Sequence, residues 1–154
     1  MALKLRKCVV GVLERGDGTY LVGERAGLDG CLQFPQGGVE DGETPDTALV
    51  RELAQEIGCG DVEILRKSQK TVDYAFPAGL KSRITQKFSG QSQDWYLVRL
   101  KNGAQPDLKL SDGEFQNISW KTLTEIMAVV VDWKYAAYID GLSQLGIWPQ
   151  KGGE

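Results

Sequence analysis

Residues 37–59 constrain the fold more than any other part of the chain. A glycine-rich loop leads there into a predicted helix whose first and last residues are both indicated by the sequence. Thr44 can cap this helix, Pro45 suits its first position, and Gly58 is a natural stop. Apolar residues between them recur every four positions and predict one buried side, formed by Leu49, Leu53 and Ile57. The segment therefore predicts an amphipathic helix that packs on a sheet.

Strand and helix patterns alternate along the rest of the chain. Apolar runs predict strands at 7–13, 19–22, 32–34, 61–67, 70–76, 95–100 and 115–120. Helical patterns follow at 122–128 and 132–145. Residues 77–90 are expected to form a polar, basic loop or flexible hairpin, and residues 102–111 a turn-rich connection. We expect a single α/β domain over residues 1–154, with helices on both sides of a mixed sheet.

Composition excludes several classes of chemistry. The chain has no histidine, which rules out Ser-His-Asp and Cys-His catalysis and zinc sites that need imidazole. Acid–base and metal chemistry must then rest on carboxylates, which favour magnesium, manganese or calcium. The formal net charge of −3 argues against binding nucleic acid by bulk charge, although a local basic pocket for a phosphate chain is compatible with it.

The three cysteines are odd in number and fit no zinc or redox spacing, as expected for reduced residues. No apolar run approaches the roughly 20 residues of a membrane span, and the first residues lack the apolar stretch of a secretory signal. These features predict a cytoplasmic location and no membrane partner.

Two acidic residues of the marked helix, Glu52 and Glu56, lie four positions apart and so project from the same side. They fall beside the apolar stripe, where the helix should meet the body of the protein. Like charges at this spacing repel by roughly 0.2–0.5 kcal/mol on an exposed helix, and a divalent cation would offset the repulsion. The alternative is a pair of surface glutamates with Arg51 pairing locally.

The spacing around these glutamates resembles the Nudix box, a loop–helix–loop motif. The resemblance rests on Gly37, Glu43, Arg51, Glu52, Leu53, Glu56, Gly58 and Cys59. It implies the Nudix fold, an α/β/α sandwich with a mixed β-sheet. It also implies that Glu52 and Glu56 hold Mg²⁺, with Mn²⁺ as an alternative ion, and that Arg51 buttresses the loop by pairing with Glu43.

One position departs from the box. The family normally has a glutamate where this chain has Gln55. A glutamine carbonyl ligates weakly, carries no charge and cannot act as a base. The substitution is consistent with natural variation, with a degenerate enzyme, or with a change that traps substrate.

Further segments resemble one branch of the family, the asymmetric diadenosine tetraphosphate hydrolases and the RNA 5′-pyrophosphohydrolases. They are Gln33-Phe34-Pro35-Gln36-Gly37-Gly38, Gly90-Gln91-Ser92-Gln93-Asp94-Trp95-Tyr96-Leu97, Glu114-Phe115, Val131-Asp132-Trp133-Lys134-Tyr135 with Tyr138, and Tyr74 with Pro77. The start of the chain matches less well: where the branch often has Tyr-Arg-x-Asn-Val-Gly, only Val10 and Gly11 agree, and Leu32 replaces a common tryptophan.

The branch resemblance implies roles for individual residues. Glu114 would be a further metal ligand or base, and a backbone carbonyl near Gly37 would complete the metal site. The expected substrate-binding residues are Arg25, Tyr74, Lys81, Arg83, Lys134 and Tyr138. Tyr74 would lie near a base and Lys134 would reach phosphate. The alternatives are packing for the tyrosines and solvated surface charge for the cations.

Three functions follow as hypotheses. The first is Mg²⁺-dependent hydrolysis of a dinucleoside polyphosphate, such as diadenosine tetraphosphate to ATP and AMP. A water would attack in line and lose its proton to Glu52 or Glu114, because Gln55 takes the place of one candidate base. The second keeps this chemistry and acts on RNA 5′ ends. The third is a catalytically weak Nudix-fold module that binds a nucleotide or a protein partner.

Overall fold

The computed structural model describes residues 4–149, except for the side chain of Arg83, and consists of a sheet with helices on both faces. The strands are β1 (Leu5–Glu14), β2 (Tyr20–Arg25), β3 (Leu32–Gln33), β4 (Gln36–Gly38), β5 (Val62–Lys67), β6 (Val72–Ala75), β7 (Gly90–Leu100) and β8 (Phe115–Lys121). The α-helices are α1 (Pro45–Ile57), α2 (Arg83–Lys87), α3 (Leu123–Val129) and α4 (Tyr135–Gln144), with 3-10 turns at Leu108–Leu110 and Asp132–Lys134.

The sheet is mixed and centred on β1. β1 pairs in parallel with β7 over its whole length, from Leu5 opposite Gly90 to Glu14 opposite Arg99. The other described pairings are antiparallel: the main order is β3-β2-β1-β7-β5, while β4 pairs with β1, β6 with β7 and β8 with β2. The predicted α/β class with a mixed sheet is thereby confirmed.

Two apolar cores lie on opposite faces of the sheet because successive strand residues point to opposite sides. Val9 of β1 belongs to the core under α1, together with Leu49 and Leu53. Val10 belongs to the core under α3 and α4, together with Leu142. Helices therefore cover both faces, as the sequence predicts.

Helix α1 has the predicted bounds because its end signals are local. The Thr44 side chain accepts a hydrogen bond from the Thr47 backbone N–H at 3.2 Å, and Pro45 is the first helical residue. Gly58 ends the helix in the left-handed conformation, with φ of 71°. A β-carbon at Gly58 would also overlap the Asp107 carbonyl oxygen, so loop 107–114 can approach the helix only at a glycine.

The structure corrects three predicted segments. β7 begins at Gly90 instead of residue 95, because its polar first half pairs with β1 and β6 as regularly as its apolar second half. Within 77–90, expected to be a loop or hairpin, Ser82 caps the short helix α2. The terminal helix opens with a 3-10 turn, and α4 begins only at Tyr135.

Within the described ranges, Cys8, Cys31 and Cys59 are free. The helices found there are too short or too polar to span a lipid bilayer.

Candidate active site

The guanidinium of Arg51 ties the approach loop to helix α1. Its Nε and Nη2 atoms donate to the two carboxylate oxygens of Glu43 at 2.8 and 2.9 Å, and Nη2 also donates to the carbonyl of Gly38 at 2.8 Å. Its Nη1 atom donates to Glu52 Oε1 at 2.8 Å and to Gln55 Oε1 at 3.2 Å. The Arg51–Glu43 pair implied by the resemblance is therefore present. Arg51 holds the pKa of Glu43 at about 2, well below its ordinary value.

Glu52 lies at the wall of a cavity of about 190 Å³, together with Gly37, Gln55 and Glu114. A β-carbon at Gly37 would overlap the Glu52 carboxylate, so only glycine leaves this carboxylate in place. Burial raises the pKa of Glu52, opposed by the hydrogen bond and the charge of Arg51. Because Oε1 is bonded to Arg51, Oε2 is the atom that remains to act in the cavity.

Glu56 is buried, with 1% of its surface exposed. Its Oε1 atom accepts a hydrogen bond from the Gln36 backbone N–H at 2.9 Å, whereas Oε2 is buried with no hydrogen-bond partner within residues 4–149. Burial, reinforced by the nearby charges of Glu114, Glu52 and Asp112, raises the pKa of Glu56 to about 9. As predicted, the helix glutamates lie where α1 meets the protein body.

Glu114 and Asp112 reach the same cavity from the loop before β8. The Asp112 backbone N–H donates to the carbonyl of Gln55 at 2.7 Å, which ties this loop to the last turn of α1. The Asp112 carboxylate accepts a hydrogen bond from the Glu114 backbone N–H at 3.1 Å. Both side chains are exposed, so they can move relative to the fixed glutamates of the helix.

These residues suit a divalent cation with oxygen ligands. A buried carboxylate oxygen without a partner is costly, and mutual repulsion of nearby carboxylates adds to that cost. A hard cation relieves both. In the part of the chain that the structure describes, no three acidic or cysteine side chains already converge on one point. Ligation would therefore require the exposed loop acids to draw inward.

Three cations surround this acidic region. Arg25, at the end of β2, and Arg6, on β1, both line the cavity of Glu52. Lys134 is buried, and burial lowers its pKa to about 8, with a further lowering by Arg25 and an opposing effect from Glu56. Its Nζ atom lies 5.2 Å from the ring centroid of Trp133. The cavity thus combines the carboxylates of Glu52, Asp112 and Glu114 with the positive charges of Arg6 and Arg25.

Side-chain amides connect the cavity wall to the core. The Trp95 indole donates to Gln93 Oε1 at 3.0 Å, and Gln93 Nε2 donates to Gln91 Oε1 at 3.0 Å and Gln36 Oε1 at 3.1 Å. The Tyr74 hydroxyl also donates to Gln91 Oε1, at 2.8 Å. Gln36 and Gln91 line the cavity, so Tyr74 supports its wall through Gln91.

Tyr74 belongs to a half-buried aromatic cluster with Phe76 and Trp133. The Tyr74 ring lies 6.1 Å from that of Phe76 and 5.8 Å from that of Trp133, and the Phe76 and Trp133 rings are 6.2 Å apart. The rings keep part of their surface accessible. This placement is compatible with the expected position of Tyr74 near a base.

Other predicted substrate-binding residues lie elsewhere. Tyr138 is 4% exposed, stacks on Phe34 and accepts the Phe34 backbone N–H at 3.1 Å, so it lies in the apolar core and does not line the cavity. Lys81 is exposed just before α2 and does not line the cavity. Arg83 belongs to α2, but its side chain lies outside the described part of the structure.

Sequence reasoning assigned no role to several residues of the cavity wall. Gln91 stands opposite Arg6 in the parallel β1–β7 register, so the two lie side by side on one face of the sheet, near the start of both strands. The alternation Gln91, Ser92, Gln93 was the available signal, since alternate strand residues share a face. Asp112 carried a weaker signal, its place two residues before Glu114.

A wider cleft of about 500 Å³ adjoins the cavity, and both are lined by Arg6, Gly38 and Glu52. The cleft is bounded by residues 40–43 of the approach loop and by Phe88. A ligand centred on Glu52 can therefore extend in two directions.

Comparison with known families gives a match to the NUDIX domain over residues 4–140. An RNA pyrophosphohydrolase of Helicobacter pylori is 38% identical over 117 residues, covering 76% of this chain and 75% of that protein. Nudix hydrolase 25 of Arabidopsis thaliana is 35% identical over 147 residues, covering 89% of this chain and 84% of that protein.

Solved structures agree at the level of the fold. The E. coli dihydroneopterin triphosphate pyrophosphohydrolase superposes with a TM-score of 0.68 at 19% identity, over 89% of this chain and 94% of that one. An Ap4A hydrolase of C. elegans, in a binary complex, superposes with a TM-score of 0.61 at 18% identity, over 92% and 96% of the two chains.

Proposed function

The chain belongs to the Nudix family, and its relatives identify it as a pyrophosphohydrolase, so we propose which substrate it cleaves. The proposed substrate is a dinucleoside polyphosphate such as diadenosine tetraphosphate, which would be cut to ATP and AMP. The observation that carries the proposal is the pair of adjoining cavities that meet at Glu52. A polyphosphate with a nucleoside at each end needs space on both sides of the bond that breaks.

Charge distribution also favours a compact anion. The basic groups near the catalytic carboxylates are Arg6, Arg25 and Lys134, on a chain whose formal net charge is −3. Such a pocket suits a short phosphate chain, whereas proteins that track a nucleic acid usually carry an extended basic face. Lys134 and Arg25 would contact phosphates, and Tyr74 would lie beside a base.

Residues of this chain would divide the chemistry as follows. Glu52, Glu56, Glu114 and the carbonyl of Gly37 would hold Mg²⁺ or Mn²⁺. The cation, when bound, would neutralise the phosphate chain and make the phosphorus more susceptible to attack. Glu52 would ligate the cation through Oε2, because its Oε1 is hydrogen-bonded to Arg51. Glu114 is exposed, so one of its carboxylate oxygens would ligate the cation and the other would accept the proton of the attacking water.

A second candidate substrate is the triphosphorylated 5′ end of RNA. The observation in its favour is the name of the Helicobacter pylori relative, an RNA pyrophosphohydrolase at 38% identity. The chemistry would be the same, and only the group attached to the phosphates would differ.

Both candidates are tested by one experiment with diadenosine tetraphosphate and 5′-triphosphorylated RNA at equal magnesium. Products are resolved by chromatography for the unaltered chain and for Gln55→Glu, with an EDTA control. We expect faster cleavage of the dinucleotide and a higher rate in Gln55→Glu, because a charged ligand then stands on helix α1 itself. Faster cleavage of RNA would reverse the substrate order. No magnesium-dependent cleavage by either chain would leave a binding module.

A further inference from the structure

Asp112 lies outside the Nudix box and lines the same cavity as Glu52, Gln55 and Glu114. Resting on the metal-dependent function proposed above, we propose that Asp112 is an additional ligand of the divalent cation and replaces the negative charge that Gln55 lacks. A box with glutamate at position 55 would give four carboxylates with Glu52, Glu56 and Glu114. Asp112 restores that number.

The backbone fixes Asp112 beside the residue for which it would compensate. Its N–H donates to the Gln55 carbonyl at 2.7 Å, and the Asp107 N–H donates to the Ile57 carbonyl at 2.8 Å. These two bonds clamp loop 107–114 onto the end of α1, where Gly58 leaves room for the Asp107 carbonyl. The carbonyl end of a helix carries partial negative charge, which further favours a cation.

The side chain of Asp112 is positioned to act together with Glu114. One carboxylate oxygen, Oδ1, accepts the Glu114 backbone N–H, which leaves Oδ2 for another partner. Among the described residues Asp112 forms no ion pair.

A second observation, at Glu56, also favours a cation in this part of the protein. Glu56 is 1% exposed and its Oε2 atom has no hydrogen-bond partner within residues 4–149. A buried carboxylate oxygen without a partner is unfavourable unless a cation binds to it. Glu56 is held by the backbone of Gln36, whereas Asp112 and Glu114 are exposed on a loop. The loop acids are therefore the ligands free to close on the ion.

The test measures Mn²⁺ affinity by electron paramagnetic resonance, without nucleotide and without turnover. Asp112→Asn removes the charge but keeps an oxygen that can accept the Glu114 N–H. Asp107→Asn is the matched control, because Asp107 Oδ1 caps the Lys109 N–H in the same loop and does not line the cavity. We expect Asp112→Asn to weaken binding about 10- to 100-fold, the scale of losses around metal sites. Asp107→Asn should leave the affinity within about twofold, on the scale of additive, unrelated substitutions.

The same pair of substitutions in a Gln55→Glu background separates compensation from simple ligation. With a glutamate at position 55, the loss caused by Asp112→Asn should shrink, since two neighbouring groups that supply one charge are coupled. If Asp112→Asn lowers the Mn²⁺ affinity as much in the Gln55→Glu background as in the unaltered chain, Asp112 does not compensate for Gln55. Equal affinity of Asp112→Asn and Asp107→Asn would overturn the ligand role while the proposed function stands. Absence of Mn²⁺ binding to the unaltered chain would overturn both.

Discussion

At the scale of single residues, the glutamates of the site occupy opposite electrostatic environments. Glu43 accepts three hydrogen bonds, two of them from Arg51, and its charge is favoured. Glu56 accepts one and leaves an oxygen buried without a partner in the described structure, so its charge is disfavoured. The first glutamate shapes the loop, and the second is a buried carboxylate that a bound cation would stabilise.

The Glu43–Arg51 pair predicts a loss of stability in acid. The pKa of Glu43 falls from the ordinary 4.5 to about 2 in the folded protein, so its stabilising contribution is complete above pH 4.5 and disappears as the pH falls towards 2. Thermal unfolding between pH 2 and 6 should show a shallower acid slope for Glu43→Gln than for the unaltered chain. Glu63→Gln, on exposed β5, is the control, and an equal slope in all three proteins would contradict the prediction.

Glu56→Gln should raise stability and abolish function. Glutamine keeps an acceptor for the Gln36 N–H but carries no charge, so the metal-free protein no longer buries an ionisable group. In EDTA at pH 8 we expect stability to rise by about 2–4 kcal/mol, because the raised pKa of Glu56 costs roughly 1.4 kcal/mol per pH unit above 4.5, less the cost of burying the unpaired amide N–H groups of glutamine. Because the folded pKa is about 9, the unaltered chain should lose stability from pH 4.5 towards 9, and the variant should not. Lower stability of the variant in EDTA would contradict this account.

At the scale of elements, sequence signals succeed where they are local. Thr44, Pro45 and Gly58 give the bounds of α1 because caps act on the adjacent turn. The first half of β7 carries polar side chains, one of which, Gln91, lines the cavity, so no apolar alternation predicts a strand there. Tyr138 shows the same limit: its hydroxyl bonds the Phe34 backbone 104 residues away, a contact that no local pattern encodes.

The contact between loop 107–114 and α1 predicts a specific effect of Gly58→Ala. An added β-carbon meets the Asp107 carbonyl, which is backbone and cannot rotate away, and φ of 71° is itself unfavourable for alanine. Gly42→Ala is the control, because its φ of 79° imposes the same backbone cost in open space. Thermal unfolding should show about 1 kcal/mol lost in the control and several in Gly58→Ala. Equal losses would show that the loop is not anchored there.

At the scale of the whole molecule, the two cores share one sheet. Leu53 is buried under α1 and Leu142 under α4, on opposite faces. Replacing either by alanine should cost about 2–5 kcal/mol. Because β1 and β7 contribute residues to both cores, circular dichroism and tryptophan fluorescence should give coincident transitions in both variants. A fluorescence transition that moves alone in one variant would reveal two separately unfolding halves.

The hydrogen bonds that run from Trp95 through the side-chain amides of Gln93, Gln91 and Gln36 determine which polar groups the cavity wall presents to a ligand. The side-chain oxygen of Gln91 accepts hydrogen bonds from Tyr74 and Gln93, and the side-chain oxygen of Gln36 accepts one from Gln93. Among the contacts of the described residues, the side-chain amide nitrogens of these two glutamines remain available as hydrogen-bond donors. The buried Trp95 indole, which can only donate, thus sets the direction of this chain of hydrogen bonds, so that the cavity wall presents amide N–H groups to the oxygen atoms of a ligand.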